Sequence, residues 1–281
     1  MSNTLSPSEQ LAFVTTRIQS ETNSGKVSIG TGFFFSFKLN ENEHIPIIVT
    51  NCHVIEDSRR GIFQLTRAND KGNPMIGKFE NIIIDGFEQL WLRHPNRAVD
   101  LCVMPLAPLL RKAQKKNKQF FFRTLNEDLL PNQQLLAELT ALEEILMIGY
   151  PVGIWDSVNN MPVFRRGITA THPNFDYEGR EEFLIDVACF PGSSGSPVLL
   201  YNLGSYESRQ GGTVIGTRIS LLGILYAGPK YTIEGEIKVV PIPTQMTPVP
   251  VSNIPINLGF VIKAKKLLDF KSMLIKATDG S

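Results

Sequence analysis

The sequence predicts an all-β protein built from antiparallel strands, arranged either as a sandwich or as barrels. Short runs rich in β-branched and aromatic residues recur along the chain between Gly, Pro and Asn residues. These runs lie at 31–37, 45–50, 80–85, 100–106, 145–150, 182–188, 196–200 and 223–228. No helices alternate with them, which argues against a parallel α/β sheet. Clear helical periodicity is confined to the two ends of the chain.

An N-terminal helix is predicted from the stretch SPSEQLAFVTTRI. Ser6 is placed to cap it, Pro7 occupies its first turn, and Glu9 completes a capping box. The apolar residues that follow at helical spacing are Leu11, Val14 and Ile18. A second helix is predicted near the C-terminus, where KAKKLLDFKSMLIK carries apolar residues at the same spacing.

Two other segments are irregular. Residues 111–134 begin with a basic cluster that could contact nucleic acid, although a solvated linker or short helix is the favoured interpretation. Residues 229–257 begin with Pro229 and contain five further prolines, at positions 241, 243, 248, 250 and 255, which excludes a regular helix or a central strand there.

Composition narrows the functional classes. The chain has 281 residues and a formal net charge of +1, so we expect no electrostatic attraction to nucleic acid or to anionic membranes. No apolar run is long enough to cross a bilayer, and the N-terminus lacks the features of a secretory signal. We therefore expect a cytoplasmic protein that needs neither a metal nor another cofactor.

The chain has three cysteines, Cys52, Cys102 and Cys189. Their odd number argues against a disulfide framework, and their spacing does not suit a zinc site. The favoured interpretation is that they are small buried side chains in a reducing compartment. A redox switch is the alternative.

Three residues carry the candidate chemistry. His53 directly follows a predicted strand, Asp100 opens the apolar run DLCVMPL, and Ser194 lies in the glycine-rich turn FPGSSGSPV. Taken singly, each has a structural interpretation as a core histidine, a turn aspartate or a loop serine. Together they follow the order His, Asp, Ser, which is one of the known orders of a catalytic triad. The nucleophile elbow G-x-S-x-G of the α/β-hydrolases is absent, because Ser196 occupies the place of its second glycine.

The motifs around these residues resemble those of bacterial trypsin-like serine proteases, in particular the HtrA/Deg protease domain and the glutamyl endopeptidases. The resemblance covers roughly residues 25 to 265 and includes an insertion near its end. The stretches that carry it are GTGFFF, IVTNCHV, DLCVMPL, IDVACFPGSSGSPVL, GILYAG and LGFVI.

This resemblance implies a chymotrypsin-like fold of two six-stranded antiparallel barrels with a helix at each end. The expected divisions are an N-terminal helical extension (1–24), a first barrel with His53 and Asp100 (25–124), a second barrel with Ser194 and the long loop 229–257 (125–262), and a C-terminal helix (263–281). The PDZ domain of HtrA proteins is not expected.

The resemblance also implies the role of each site residue. Ser194 would be the nucleophile, His53 its general base, and Asp100 the group that orients the imidazole. The oxyanion hole would form in the turn of Gly192, Ser193 and Ser194, from the backbone N–H groups of Gly192 and Ser194. Ser193 stands where digestive proteases carry an aspartate, which argues against activation by N-terminal trimming.

The specificity pocket is expected to accept a small or medium apolar side chain. One predicted wall consists of Ala188, Cys189 and Phe190. The other consists of Tyr226, Ala227 and Gly228. Neither wall contains a carboxylate to bind Lys or Arg. The segment 229–257 is predicted to form a lid or a wall that limits access to Ser194.

The predicted function is that of a serine endopeptidase acting on peptides or proteins. One alternative is a catalytically silent module that binds peptides or acts as a scaffold. Another is a protease effector of a bacterial stress or defence system, switched on by an unknown partner protein. The complete His53, Asp100 and Ser194 set favours an enzyme over a silent module.

Overall fold

The computed structural model describes residues 5–41, 43–228, 230–234, 251–255 and 257–279. The strands of the N-terminal half are β1 (Thr15–Thr22), β2 (Val27–Lys38), β3 (His44–Thr50), β4 (Ser58–Ala68), β5 (Pro74–Asp85), β6 (Leu92–Arg93), β7 (Cys102–Pro105), β8 (Phe120–Phe121) and β9 (Leu125–Asn126). The strands of the C-terminal half are β10 (Glu144–Gly149), β11 (Val163–Thr169), β12 (Glu182–Asp186), β13 (Pro197–Asn202), β14 (Ser205–Glu207), β15 (Thr213–Ile215), β16 (Arg218–Ala227), β17 (Lys230–Glu234), β18 (Val251–Pro255) and β19 (Leu258–Lys263).

Helices are short and lie between or after the strands. The α-helices are α1 (Pro7–Leu11), α2 (Cys52–Ile55), α3 (Ala107–Gln114), α4 (Gln133–Glu138) and α5 (Lys271–Asp279). Four 3₁₀ turns cover Phe87–Leu90, Glu127–Leu129, Pro151–Gly153 and Ala264–Phe270. None of the helices in the described part of the chain is long and apolar enough to span a membrane.

The all-β, chymotrypsin-like prediction is confirmed. In the C-terminal half, β10-β11-β12-β19-β16-β13 close into a six-stranded barrel. The N-terminal half is one nine-stranded sheet with the order β5-β4-β1-β2-β3-β7-β6, to which β8 and β9 attach through β4 and β2. It differs from the expected six-stranded barrel because the two-residue strands β6, β8 and β9 raise the count, and its hydrogen-bonded order does not close within the described residues.

The predicted N-terminal helix is correct only over its first turns. The Ser6 hydroxyl accepts the Glu9 N–H at 3.3 Å, and the Glu9 carboxylate accepts the Ser6 N–H at 2.7 Å, so the capping box is present. The helix α1 ends at Leu11.

The segment after α1 is a strand, and this corrects the expectation of a separate helical extension over 1–24. β1 pairs with β2 on one side and with β4 on the other, where Ile18 is opposite Gly30 and Phe63. The segment forms a strand although its apolar residues have helical spacing, because it is rich in β-branched residues and pairs with a strand on each side.

Two other boundaries also differ from the expectation. The polar segment 111–134, interpreted as a linker or a short helix, begins in the last turn of α3 but also contains β8 and β9, and Leu125 of β9 pairs with Phe35 in the N-terminal sheet. The expected C-terminal helix is a 3₁₀ turn over Ala264–Phe270 that continues as α5.

The segment 229–257 is described only in part. β17 and β18 form a two-stranded antiparallel sheet of their own, in which Lys230 is opposite Pro255. The predicted lid falls mostly on residues 235–250, which lie outside the described residues.

A shared core joins the two halves. One cluster of buried side chains contains Phe33, Val49 and Val103 from the N-terminal sheet together with Ile148 and Leu199 from the barrel. Two further clusters belong to one half each. Because the central cluster is continuous, the strand ends that meet at the junction are held in fixed positions.

Candidate active site

His53 and Asp100 meet because their strands are neighbours. β3 ends at Thr50 and β7 begins at Cys102, and these two residues are opposite each other in an antiparallel pair. His53 follows β3 in α2, and Asp100 precedes β7, so both lie at the same sheet end. The Asn51 side chain donates a 2.7 Å hydrogen bond to the Asp100 carbonyl and fixes the two segments together.

The imidazole of His53 is held by the Asp100 carboxylate at two points. His53 Nδ1 lies 2.5 Å from Asp100 Oδ2, and the His53 backbone N–H donates to Asp100 Oδ1 at 3.2 Å. The His53 side chain is 44% exposed, so the imidazole is accessible to a reacting group. The contact with Asp100 favours the tautomer protonated at Nδ1, which leaves Nε2 as a base.

Ser194 lies in a tight turn whose shape depends on two glycines. Gly192 and Gly195 have φ values of +90° and +86°, a region that only glycine adopts readily. The Ser194 hydroxyl donates to the Tyr226 carbonyl at 3.4 Å. Among the described residues no hydrogen bond joins Ser194 to His53, and in active sites without substrate this bond often forms only when substrate binds.

Thr31 connects the serine turn to the N-terminal sheet. Its N–H donates to the Ser194 carbonyl at 2.8 Å, and its hydroxyl donates to the Gly192 carbonyl at 2.9 Å. Its own carbonyl accepts the Thr50 hydroxyl at 2.7 Å, three residues before His53. These bonds bring the serine turn and the histidine segment together across the junction of the two halves.

Two backbone N–H groups of the turn have no protein acceptor among the described residues. They belong to Gly192 and Ser194. The N–H of Ser193, in contrast, donates to the Phe190 carbonyl at 3.0 Å, and the Ser193 hydroxyl is buried with no hydrogen-bond partner in the described part of the chain. Of the three residues expected around the oxyanion hole, Ser193 therefore contributes the shape of the turn and no donor.

The loop Tyr150–Gly153 supports this turn from the barrel side. The Val152 N–H donates to the Pro191 carbonyl at 2.5 Å, and Val152 has a φ of +52°. A β-branched residue in this conformation costs on the order of 1–3 kcal/mol, so the surrounding contacts must fix it. A side chain on Gly192 would meet the Tyr150 carbonyl oxygen at 2.5 Å.

The predicted pocket walls lie at the ends of β12 and β16, the two strands that pair with β19 in the barrel. A Cβ on Gly228 would be 3.6 Å from the Cys189 Cβ, so the two walls approach closely there. Burial raises the pKa of Cys189 to about 11. The Tyr226 hydroxyl donates to Glu182 Oε2 at 3.0 Å, and burial together with this hydrogen bond raises the pKa of Tyr226 to about 12.

Arg165 is a functional candidate that the sequence did not indicate. Its guanidinium donates to the Ala188 carbonyl and lies 5.0 Å from the centre of the Phe190 ring. Burial lowers its pKa, and no carboxylate pairs with it among the described residues. No sequence signal could find it, because its hydrogen-bond partner is a backbone carbonyl. Thr31, also missed, had a weak signal in its position between Gly30 and Gly32.

A cavity of about 190 Å³ lies beside the His53–Asp100 pair. Its lining residues are Cys52, His53, Glu56, Arg93, His94, Arg97, Val99 and Asp100. Within the ranges that the structure describes, no three His, Cys, Asp or Glu side chains converge as metal ligands would.

A match to a known family agrees with this arrangement. The profile of the trypsin-like peptidase domain matches residues 30–205, which is more than half of the chain. The chain belongs to the trypsin-like peptidase family. The predicted family is thereby confirmed. Four of the motifs that carry the resemblance lie within the matched range: GTGFFF, IVTNCHV, DLCVMPL and the serine turn FPGSSGSPV.

Solved structures with a similar fold include two bacterial-type proteases. An HtrA-type protease, AlgW with a tripeptide, is 15% identical with a TM-score of 0.46, and the match covers 95% of this chain and 62% of that one. The Rv3671c protease from M. tuberculosis in its active form is 13% identical with a TM-score of 0.45, and the match covers 92% and 78%. This trypsin-like chain thus spans less than two thirds of the length of AlgW. No curated protein matches its sequence. The family assignment rests on the profile match.

Proposed function

We propose that the chain is an endopeptidase in which Ser194, His53 and Asp100 form the catalytic triad. The observation that carries the proposal is the 2.5 Å contact between His53 Nδ1 and Asp100 Oδ2. A serine hydroxyl is a weak nucleophile until a neighbouring base removes its proton. An imidazole held at Nδ1 by a carboxylate has the tautomer and orientation that this base requires.

The reaction begins when Ser194 Oγ attacks the carbonyl carbon of the peptide and His53 Nε2 accepts the proton. Asp100 stabilises the imidazolium that forms, without taking the proton itself. The proton then passes to the leaving amine, and water hydrolyses the acyl-enzyme with His53 again as base.

The oxyanion of the tetrahedral intermediate is stabilised by the N–H groups of Gly192 and Ser194. The support for this role is that neither group donates to a protein acceptor among the described residues. A donor of this kind contributes about 2.7–4 kcal/mol to the transition state. In this proposal the Ser194 hydroxyl leaves the Tyr226 carbonyl and turns to His53 when substrate binds.

The substrate side chain before the scissile bond is small or medium and apolar. Ala188, Cys189 and Phe190 form one wall of its pocket, and Tyr226, Ala227 and Gly228 form the other. The Arg165 guanidinium at the Ala188 carbonyl adds a positive charge that disfavours Lys and Arg at this position.

We further propose a cytoplasmic enzyme that acts on peptides or proteins, not on nucleic acids or membranes. The formal charge of +1 and the three free thiols support this setting. An activating partner protein is the alternative mode of control, and a scaffold without catalysis is the alternative function.

The experiment is digestion of a peptide library, with the cleavage sites read by mass spectrometry. Wild type should cleave after small or medium apolar residues, while Ser194→Ala and His53→Ala should lose activity by several orders of magnitude. His44→Ala is the matched control, because His44 is exposed at the first position of β3, the strand whose other end leads to His53. Equal cleavage by wild type and Ser194→Ala contradicts the proposed triad, and strict cleavage after Arg or Glu contradicts the proposed pocket.

A further inference from the structure

Two thiols lie next to each other beside the His53–Asp100 pair. Cys52 directly precedes His53, and Cys102 follows Asp100 by two residues. The β3–β7 register, in which Thr50 is opposite Cys102, brings both thiols to the same sheet end. Cys52 Sγ donates to the carbonyl of Leu101, the residue directly before Cys102, at 3.1 Å, and Cys52 packs against the buried cluster that contains Cys102.

The two thiols differ in access and in chemistry. Cys52 is half-buried and lines the 190 Å³ cavity together with Arg93 and Arg97, whereas Cys102 is fully buried. The neighbouring Cys102 thiol, followed by weaker attraction to the two arginines, lowers the pKa of Cys52, although burial and Asp100 act against it. Burial raises the pKa of Cys102 well above its usual value. Cys52 is therefore the nucleophile of the pair and Cys102 the resolving thiol.

We propose that Cys52 and Cys102 form a reversible disulfide that displaces His53 from Asp100 and lowers the activity of the enzyme. The loss of activity rests on the proposed triad, whereas the formation of the disulfide does not. The oxidant is a hydroperoxide such as hydrogen peroxide, and the reductant is a small dithiol or a thiol–disulfide oxidoreductase.

The peroxide oxidises the two thiols to a disulfide in two steps. The Cys52 thiolate attacks one peroxide oxygen, an S–O bond forms, the O–O bond breaks, and the leaving hydroxide becomes water. Cys102 then attacks the sulfenic sulfur, an S–S bond forms, and hydroxide leaves and takes the Cys102 proton as a second water. Two thiols lose two electrons, and one peroxide is reduced to two waters.

A disulfide between Cys52 and Cys102 affects His53 because Cys52 directly precedes it in the chain. A disulfide requires the two sulfur atoms at about 2.05 Å, which is much shorter than any non-bonded contact between two thiols. Closing that gap pulls on the first residue of α2, next to His53. The contact of His53 Nδ1 with Asp100 Oδ2 at 2.5 Å has no slack to absorb such a displacement.

The test compares reduced and peroxide-treated protein in a Cys189→Ser background, which removes the third thiol. Peptide mapping should identify a Cys52–Cys102 cross-link after oxidation and its loss after dithiothreitol. The rate of labelling by a fluorophosphonate should fall at least about tenfold on oxidation and recover on reduction, since misplacement of a catalytic group by about 1 Å can cost about 100-fold. Cys102→Ala cannot form the disulfide. After treatment with peroxide, followed by catalase and arsenite, this variant should be labelled by the fluorophosphonate at the same rate as before the treatment.

A second readout does not depend on catalysis. The low-field proton resonance of His53 Nδ1–H should shift or broaden when the disulfide forms and return on reduction. If the reduced protein is not labelled at all, the proposed function fails, and the peptide map and this resonance still decide the present proposal. Absence of the cross-link under peroxide, or a cross-link that leaves the resonance unchanged, overturns it.

Discussion

The backbone N–H of Thr31 donates a 2.8 Å hydrogen bond to the carbonyl of Ser194, and this bond ties the N-terminal sheet to the serine turn of the barrel. The Thr31 hydroxyl adds a second bond, at 2.9 Å, to the carbonyl of Gly192. Both carbonyls belong to residues whose N–H groups form the proposed oxyanion hole. Thr31 therefore orients these two residues from the opposite half of the molecule.

Replacing Thr31 with Val should lower kcat/KM by about tenfold or more, because it removes an anchor of the turn while keeping its volume. The Tyr150 N–H, which donates to the Thr31 hydroxyl at 3.1 Å, also loses its acceptor. Stability should fall by about 1–3 kcal/mol in urea unfolding. Thr31→Ser keeps the hydroxyl and should retain most of the activity. Equal activity of Thr31→Val and wild type would show that this anchor does not shape the turn.

Gly192→Ala should abolish labelling by a fluorophosphonate. The new Cβ would lie 2.5 Å from the Tyr150 carbonyl oxygen, and the backbone has a φ of +90°. Gly204→Ala is the matched control, because Gly204 has a φ of +85° and open space where a Cβ would be. The control bears the same backbone strain without the collision. If both variants label at the wild-type rate, the turn tolerates displacement and the collision is unimportant.

Asp100→Asn should lower kcat by about 10⁴-fold with a smaller effect on KM, since an amide favours the wrong tautomer of His53. Steady-state kinetics, with a peptide substrate identified in the library digestion, measures the effects on kcat and on KM separately. Asp85→Asn removes a carboxylate from an exposed ion pair with Arg60 and should be close to neutral. A kcat within a few-fold of wild type for Asp100→Asn would mean that the carboxylate does not orient the base.

Arg165→Met should loosen the wall formed by Ala188 and Phe190 and remove a positive charge from it. We expect a higher KM for apolar substrates and increased cleavage after Lys, both measured with matched peptides. Arg166→Met is the control, because the neighbouring Arg166 is exposed and pairs with Glu144 on the other face of β11. The same kinetic change in both variants would show a general effect of charge in place of a local one.

The sequence predicted the features that depend on local pattern. Eight of the strands, the capping box at Ser6, and the order of His53, Asp100 and Ser194 could be found from residue types and their spacing; these strands are β2, β3, β5, β7, β10, β12, β13 and β16. It did not predict that the apolar spacing around Ile18 belongs to a strand, because only pairing with β2 and β4 decides between the two structures. Arg165 escaped for a similar reason, since its contacts to Ala188 and Phe190 exist only after the barrel closes.

The central claim is that Ser194 is an activated nucleophile. Intact-mass measurement after treatment with a fluorophosphonate tests it most directly, because the adduct forms only on a serine whose proton a base removes. Wild type should gain a single adduct, and Ser194→Ala should gain none. Ser193→Ala should be labelled like wild type, because the Ser193 hydroxyl is buried and has no hydrogen-bond partner among the residues that the structure describes. An unlabelled wild type, or an adduct that persists in Ser194→Ala, would contradict the account.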